Sequence, residues 1–158
     1  MRKILLAPLI VCMVTLLSIL SMPAVSAKVL RFDVTVIIDD WGIPGPLHDG
    51  ETIYWKGPIT GEITGTLYLW ETDKNYLVGS TEHYFEDFYI KLENGWIIGY
   101  DIGVWNFATL KARAYGRVTG ASDNNVGMIG YFFFYEGFST DPNLWPIAAT
   151  LPGFIGPV

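Results

Sequence analysis

The chain is 158 residues long and carries 16 acidic against 10 basic side chains, with a single cysteine, Cys12. That length suits one domain, and the acidic balance repels phosphate backbones and anionic membrane surfaces, so no nucleic-acid partner is expected. One cysteine excludes an internal disulfide and a cysteine-built metal site alike.

Arg2 and Lys3 precede an uncharged run over residues 4–22, which Pro23 ends; Val25-Ser26-Ala27 then offers small residues. This is the pattern of a secretory signal peptide with its cleavage site. It predicts cleavage near Ala27 and a secreted, extracytoplasmic domain. The run is 19 residues long, so an uncleaved N-terminal membrane anchor is the alternative, and the one route by which a membrane becomes a partner. Without residues 1–27 the balance is 8 basic against 16 acidic, a net of −8, and Cys12 is gone. All 24 aromatic residues and all 17 glycines remain, which favours short strands and tight turns over helices.

Leu30, Phe32, Val34, Val36 and Ile38 alternate with mainly polar residues and predict a first strand with one apolar face. Residues 39–50 read as a loop, with Pro44, Pro46 and an Asp49-Gly50 turn signal. A short strand over 52–56, closed by Gly57-Pro58, precedes a long one over 59–71 that points Ile63, Gly65, Leu67 and Leu69 one way. Strands over 76–80 and 82–92 follow, with a blurred pattern at 83–87 that suggests a bulge. Asn94-Gly95 marks a hairpin, since both residues tolerate positive φ. Residues 96–101 and 104–107 read as one strand kinked at Gly103. The alternation is cleanest over 108–119: Ala108, Leu110, Ala112, Ala114, Gly116 and Val118 share a face, and Lys111, Arg113, Tyr115 and Arg117 share the other. After a polar turn, 126–138 reads as the last strand.

About eight short strands joined mainly by short turns predict an all-β fold, an antiparallel meander closed as a small β-barrel over residues 28–140. Small residues on one face of 108–119 suit a tight interior. Residues 141–158 are expected to form an apolar tail without regular structure, because Pro146, Pro152 and Pro157 interrupt it.

The stretch Ala112-Arg-Ala-Tyr-Gly-Arg-Val-Thr-Gly-Ala-Ser122, followed by Gly127-Met-Ile-Gly-Tyr-Phe132, resembles a hairpin of the allene-oxide-cyclase and dirigent-type barrels. Gly61-Glu-Ile-Thr-Gly-Thr-Leu67 and Val78-Gly-Ser80 are compatible with it. The resemblance spans at most residues 57–138 and rests on structural glycines. It implies an eight-stranded barrel, often trimeric, that holds apolar molecules inside, and it transfers no catalytic residue.

Candidate chemistry is sparse. His83 and Asp87 share one face of a strand and Glu86 points oppositely; facing a cavity, the pair could orient a proton acceptor or polarise a ligand. The competing reading puts His83 at a strand edge and its acids in water. His83, Asp87 and Asp101 are the candidate catalytic residues, and His83, Asp87 and Trp105 the candidate ligand contacts. No spacing suggests a third metal ligand, and the acids Asp39, Asp40 and Asp49 lack a calcium-loop pattern, so no metal or cofactor is expected. Nucleophile-elbow, phosphate-loop and dinucleotide motifs are absent. In Tyr131-Phe-Phe-Phe-Tyr135 both faces are apolar, which a solvated wall does not tolerate. Tyr131, Phe133 and Tyr135 are therefore expected at an interface, with another protomer or the tail as cover.

Three functions follow from these observations. The first is a non-catalytic exported barrel that binds a small apolar ligand or a surface partner. The second is a cyclase- or isomerase-type enzyme acting on such a ligand. The third is a cell-surface assembly protein, which forms homo-oligomers.

Overall fold

A computed structural model describes residues 28–41, 53–141, 143 and 147–158. The signal-like segment, the loop bearing His48 and Asp49, and Trp145 lie outside the described residues. Ten strands form one antiparallel sheet: β1 (Leu30–Trp41), β2 (Ile53–Gly61), β3 (Gly65–Glu71), β4 (Tyr76–Val78), β5 (Thr81–Leu92), β6 (Gly95–Asn106), β7 (Lys111–Ala121), β8 (Phe132–Ser139), β9 (Ala148–Thr150) and β10 (Gly153–Gly156). Neighbours run β1-β2-β3-β5-β6-β7-β8, and β9 and β10 bridge β8 back to β1. The result is a closed eight-stranded barrel, its eighth position shared by β9 and β10. β4 lies outside the closed path and pairs with β5. The expected all-β meander barrel is what the chain forms.

Period-two alternation sends Phe32, Val34, Val36, Leu67, Leu69, Phe88, Ile90, Ile97, Val118, Phe133 and Ile155 into the barrel, all buried. Each such side chain contributes on the order of 1.5–3 kcal/mol. Bulk on some strands is matched by small residues on others. Tyr84 lies opposite Gly103, Gly103 opposite Ala114, and Ala114 opposite Tyr135. Two levels down, Phe88 faces Gly99, where a Cβ would meet the Phe88 ring at 2.5 Å. Ala112 and Ala114 are buried as the alternation requires.

Several boundaries differ from expectation. Gly57 and Pro58 do not end a strand but lie inside β2, where the β1–β2 ladder has a gap, at constant register, between the pairs Val34–Ile59 and Ile37–Lys56. Pro58 has no N–H to give, and the gap in the ladder accommodates that. The long strand expected over 59–71 is divided by a turn after Gly61, whose φ is +115°. β1 continues through Asp39 and Asp40 to Trp41 rather than ending in a loop. The β5–β6 register is unbroken from Thr81 to Leu92, so no bulge occurs at 83–87; the irregularity falls between Ile98 and Gly99 instead. Residues 107–110 form a turn, with Leu110 at φ +59°, so Ala108 and Leu110 do not belong to the β7 face. Asp123–Met128 is a 3₁₀ helix, and the last long strand starts only at Phe132.

The tail is the largest correction. Prolines flank short pieces of strand here and do not prevent them. β10 pairs Leu30 with Ile155 and Phe133 with Ile155, so the C-terminal residues close the wall. Among the described residues no helix is long and apolar enough to cross a membrane.

Candidate functional site

The barrel end bounded by the C-terminal ends of β1, β3, β6 and β8 holds the buried charged side chains of the described residues. β3 delivers Glu71, β5 delivers Tyr84 and Glu86, β6 delivers Asp101 and Trp105, and β8 delivers Tyr135 and Ser139. All seven are buried. They point inward because each shares its strand's period with core residues: Glu71 with Leu69, Glu86 with Phe88, Asp101 with Ile97, Tyr135 with Phe133.

Some of the hydrogen bonds link strands that are not neighbours, β8 to β5 and β6 to β8. The Tyr135 hydroxyl donates to Glu86 Oε2 at 3.0 Å and lies 3.1 Å from the Tyr84 hydroxyl. Trp55 Nε1 donates to Glu71 Oε1 at 3.1 Å, and Asn75 Nδ2 to Glu71 Oε2 at 2.7 Å. Asn75 Oδ1 in turn accepts the Phe85 backbone N–H at 3.0 Å, which fixes the loop before β4 against the site. Trp105 Nε1 donates to Ser139 Oγ at 2.7 Å, and Ser139 Oγ donates to the Leu110 carbonyl at 3.3 Å. The Trp55 and Trp105 rings meet edge to face at 5.5 Å.

Asp101 is the outlier. Its two oxygens receive no N–H or hydroxyl donor among the described residues, and the polar group beside them is the Glu86 carboxyl, directly across the β5–β6 ladder. Two carboxyls buried side by side repel each other when both are ionised, which favours a proton on one of them. Burial, more than any neighbour, pushes Asp101 up to about 8 and Glu71 up to about 7. Burial also drives Glu86 well above the usual carboxyl range, with the Asp101 and Glu71 charges adding to the effect. Among the described residues, no cation acts on these acids. Burial raises the Tyr84 and Tyr135 hydroxyls too, so both stay donors at neutral pH.

Between these groups lies a cavity of about 30 Å³, lined by Trp55, Glu71, Tyr84, Glu86, Trp105 and Tyr135 among others. It has room for one or two water molecules. The rest of the interior is filled by Phe32, Phe88, Phe133 and aliphatic side chains.

No family model, curated protein or solved structure matches this chain. What the site can do is therefore read from its own chemistry: carboxyl and phenol protons in a buried, aromatic-walled recess, able to donate to an oxygen acceptor or to exchange a proton with it.

Of the residues singled out from the sequence, Trp105 lines the recess and Asp101 lies beside Glu86, facing inward. His83 and Asp87 do share a face, but it is the outer one. His83 is half-buried, its ring stacked on Tyr76 at 4.7 Å and 2°, and it does not line the cavity. Phe133 and Tyr135 are fully inside, so neither forms an outer interface, and Tyr131 packs partly buried against the core. The outward residues of that segment are Phe132 and Phe134. Phe134 is flanked by Phe154 from the closing strand at 5.4 Å, so the tail packs beside it in the wall instead of over it. Sequence reasoning does not select Glu71, Tyr84, Glu86 or Tyr135 for this site. A usable signal is present: Asp101 interrupts a face otherwise made of Ile97, Gly99, Gly103 and Trp105, which marks an acid carried into the interior. Among the described residues no three His, Cys, Asp or Glu side chains are arranged to share a metal ion.

Proposed function

We propose that this chain is an exported β-barrel that binds a small, mainly apolar molecule with an oxygen acceptor at the acid-bearing end of the barrel, without transforming it. The observation that carries this reading is the cluster of Glu71, Glu86, Tyr84 and Tyr135 around a recess, with Asp101 buried across the ladder from Glu86. Burying acids without a cationic partner costs stability, and apolar side chains of similar size would make a more stable barrel. Perturbed acids beside a recess are the usual mark of a site that acts on a ligand. The aromatic walls would take the apolar body and the protonated groups the acceptor. The resemblance of the β7–β8 hairpin to allene-oxide-cyclase and dirigent-type barrels implies an apolar ligand as well. Because the recess is small, the ligand would enter by displacing water and moving the Trp55 and Trp105 rings at its wall.

Native mass spectrometry of the protein purified from its natural source tests this. A bound molecule that is retained by the wild type and lost in Tyr135→Phe and Glu86→Gln supports the reading; a protein that carries nothing, with both variants indistinguishable from wild type in binding extracted apolar compounds, contradicts it.

A second reading, an isomerase or cyclase, is favoured by the buried carboxyls of Glu86 and Asp101, cross-strand partners that burial pushes toward the protonated form a general acid requires. Glu86 and Asp101 replace His83 and Asp87 as the acting groups. Conversion of the retained molecule by wild type but not by Asp101→Asn would move the assignment to this reading.

A further inference from the structure

The outer wall is recessed where its closing strand breaks. β9 ends at Thr150 and β10 starts at Gly153; between them Leu151 donates its N–H to Val34 O at 2.8 Å, and the Pro152 carbonyl accepts the Glu136 N–H at 3.1 Å. Gly153 faces the interior with its cross-strand partner Phe32, where a Cβ would press on the Phe32 ring at 2.6 Å. Over this break lies a groove of about 600 Å³, lined by Arg31, Asp33, Glu62, Phe134, Pro152 and Phe154 with the flanking glycines. That volume is within the range of ligand sites, and the groove is separate from the recess at the barrel end.

Its floor and its rim have different chemistry. Phe134 and Phe154 are cross-strand partners with ring centres 5.4 Å apart. In register with Phe134 on the other side stands Tyr115, which is 55% exposed and stacked on Phe132 at 6.2 Å and 10°. Tyr115, Phe134 and Phe154 therefore form a row across β7, β8 and β10, and the row ends at Arg31, directly opposite Phe154. The rim carries one cation and two carboxylates. Glu62 is held in place: it accepts Lys28 Nζ at 2.8 Å and the Arg31 N–H at 3.0 Å.

We infer that this groove binds a saccharide, its rings lying along the row Tyr115–Phe134–Phe154 and its hydroxyls on Arg31, Asp33 and Glu62. A pyranose has a C–H face that packs on aromatic rings and an edge of hydroxyls, each both donor and acceptor. The rim supplies the matching set, with donors only on Arg31 and acceptors only on Asp33 and Glu62. An apolar ligand, or the outer face of a second copy, would strip water from three charged groups without replacing their hydrogen bonds. The mixed signs of the rim give no net pull on a polyanion.

The test is affinity gel electrophoresis of the purified chain in gels containing soluble β-glucan, xylan or galactomannan. Retarded migration in at least one gel is expected. Arg31→Ala and Tyr115→Ala, both at exposed positions, should each weaken it, Arg31→Ala roughly tenfold, with unchanged thermal midpoints. Glu86→Gln should leave the retardation intact, which separates this site from the barrel-end recess. Free migration in every gel overturns the inference, as does retardation that both variants retain. A monomer–dimer equilibrium in sedimentation that Arg31→Ala and Tyr115→Ala abolish would place a second copy on the groove and overturn it too.

Discussion

Tyr135 on β8 and Glu86 on β5 are joined by a 3.0 Å hydrogen bond although two strands, β6 and β7, separate them in the wall. The bond spans the lumen. It can form because Gly103 and Ala114 occupy the intervening positions at the level of the two tyrosines. Tyr135→Phe would remove the donor to Glu86 and the contact with Tyr84, leaving a buried acid and a buried phenol short of a partner. The expected loss is about 1–3 kcal/mol, read as a lower urea midpoint at pH 6. An unchanged midpoint would show that water replaces the phenol without cost.

Gly103 is required by the Tyr84 ring rather than by backbone conformation. A Cβ at Gly103 would run into the end of that ring. Gly103→Ala is expected to cost about 1–3 kcal/mol through overpacking, and the loss should shrink in the Tyr84→Leu background. A double-mutant cycle measures it. Additive effects would mean that the ring does not rest on Gly103.

The closing strand should be indispensable. Ile155 is fully buried and pairs with both Leu30 and Phe133, and Leu151 and Ala149 are buried beside it. Ile155→Ala is expected to cost about 2–5 kcal/mol. A chain ending at Asp141 would leave β1 and β8 as unpaired edges and should not fold to a monomer with cooperative thermal unfolding. A truncated chain that melts like the full one would show that the barrel closes without its tail.

The barrel is legible where one face of a strand is unambiguous. In β1 the apolar face reads Phe32, Val34, Val36 against Arg31, Asp33, Thr35, and in β7 Ala112 and Ala114 against Lys111 and Arg113; the fold buries both apolar faces. β5 carries Phe85 and Tyr89 on one face and Tyr84, Phe88 and Ile90 on the other, so period two decides which residues share a face but not which face is inside. That ambiguity hides Glu86 and gives weight to His83 and Asp87. β8 misleads for the same reason, with three phenylalanines in succession. The closing strand is hidden by length: Ala148–Thr150 and Gly153–Gly156 are too short to show a period beside Pro152. The pairing of Glu86 with Asp101 depends on a cross-strand register that no local pattern encodes.

Acidity should stabilise this barrel within limits. Glu71 and Asp101 are raised to about 7 and about 8, with Glu86 also well above the usual carboxyl range. The same acids in an unfolded chain titrate near ~4. Between those values the native chain holds more protons than the unfolded one, so its unfolding free energy falls as pH rises. The contribution is complete below about pH 4 and is lost progressively as pH passes through about 7 and 8. Every tenfold gain in proton affinity on folding is worth about 1.4 kcal/mol, so the change in stability over this window is on the order of a few kcal/mol. Urea midpoints should therefore decline from pH 5 to pH 9. Asp101→Asn keeps the shape and a hydrogen-bond donor toward Glu86 but has no proton to lose. Its midpoint should be close to wild type at pH 5 and higher than wild type at pH 9, by a margin on the order of 1–3 kcal/mol. A wild-type midpoint that rises with pH, or an equal slope in the variant, would mean that these acids are ionised inside the folded barrel at neutral pH.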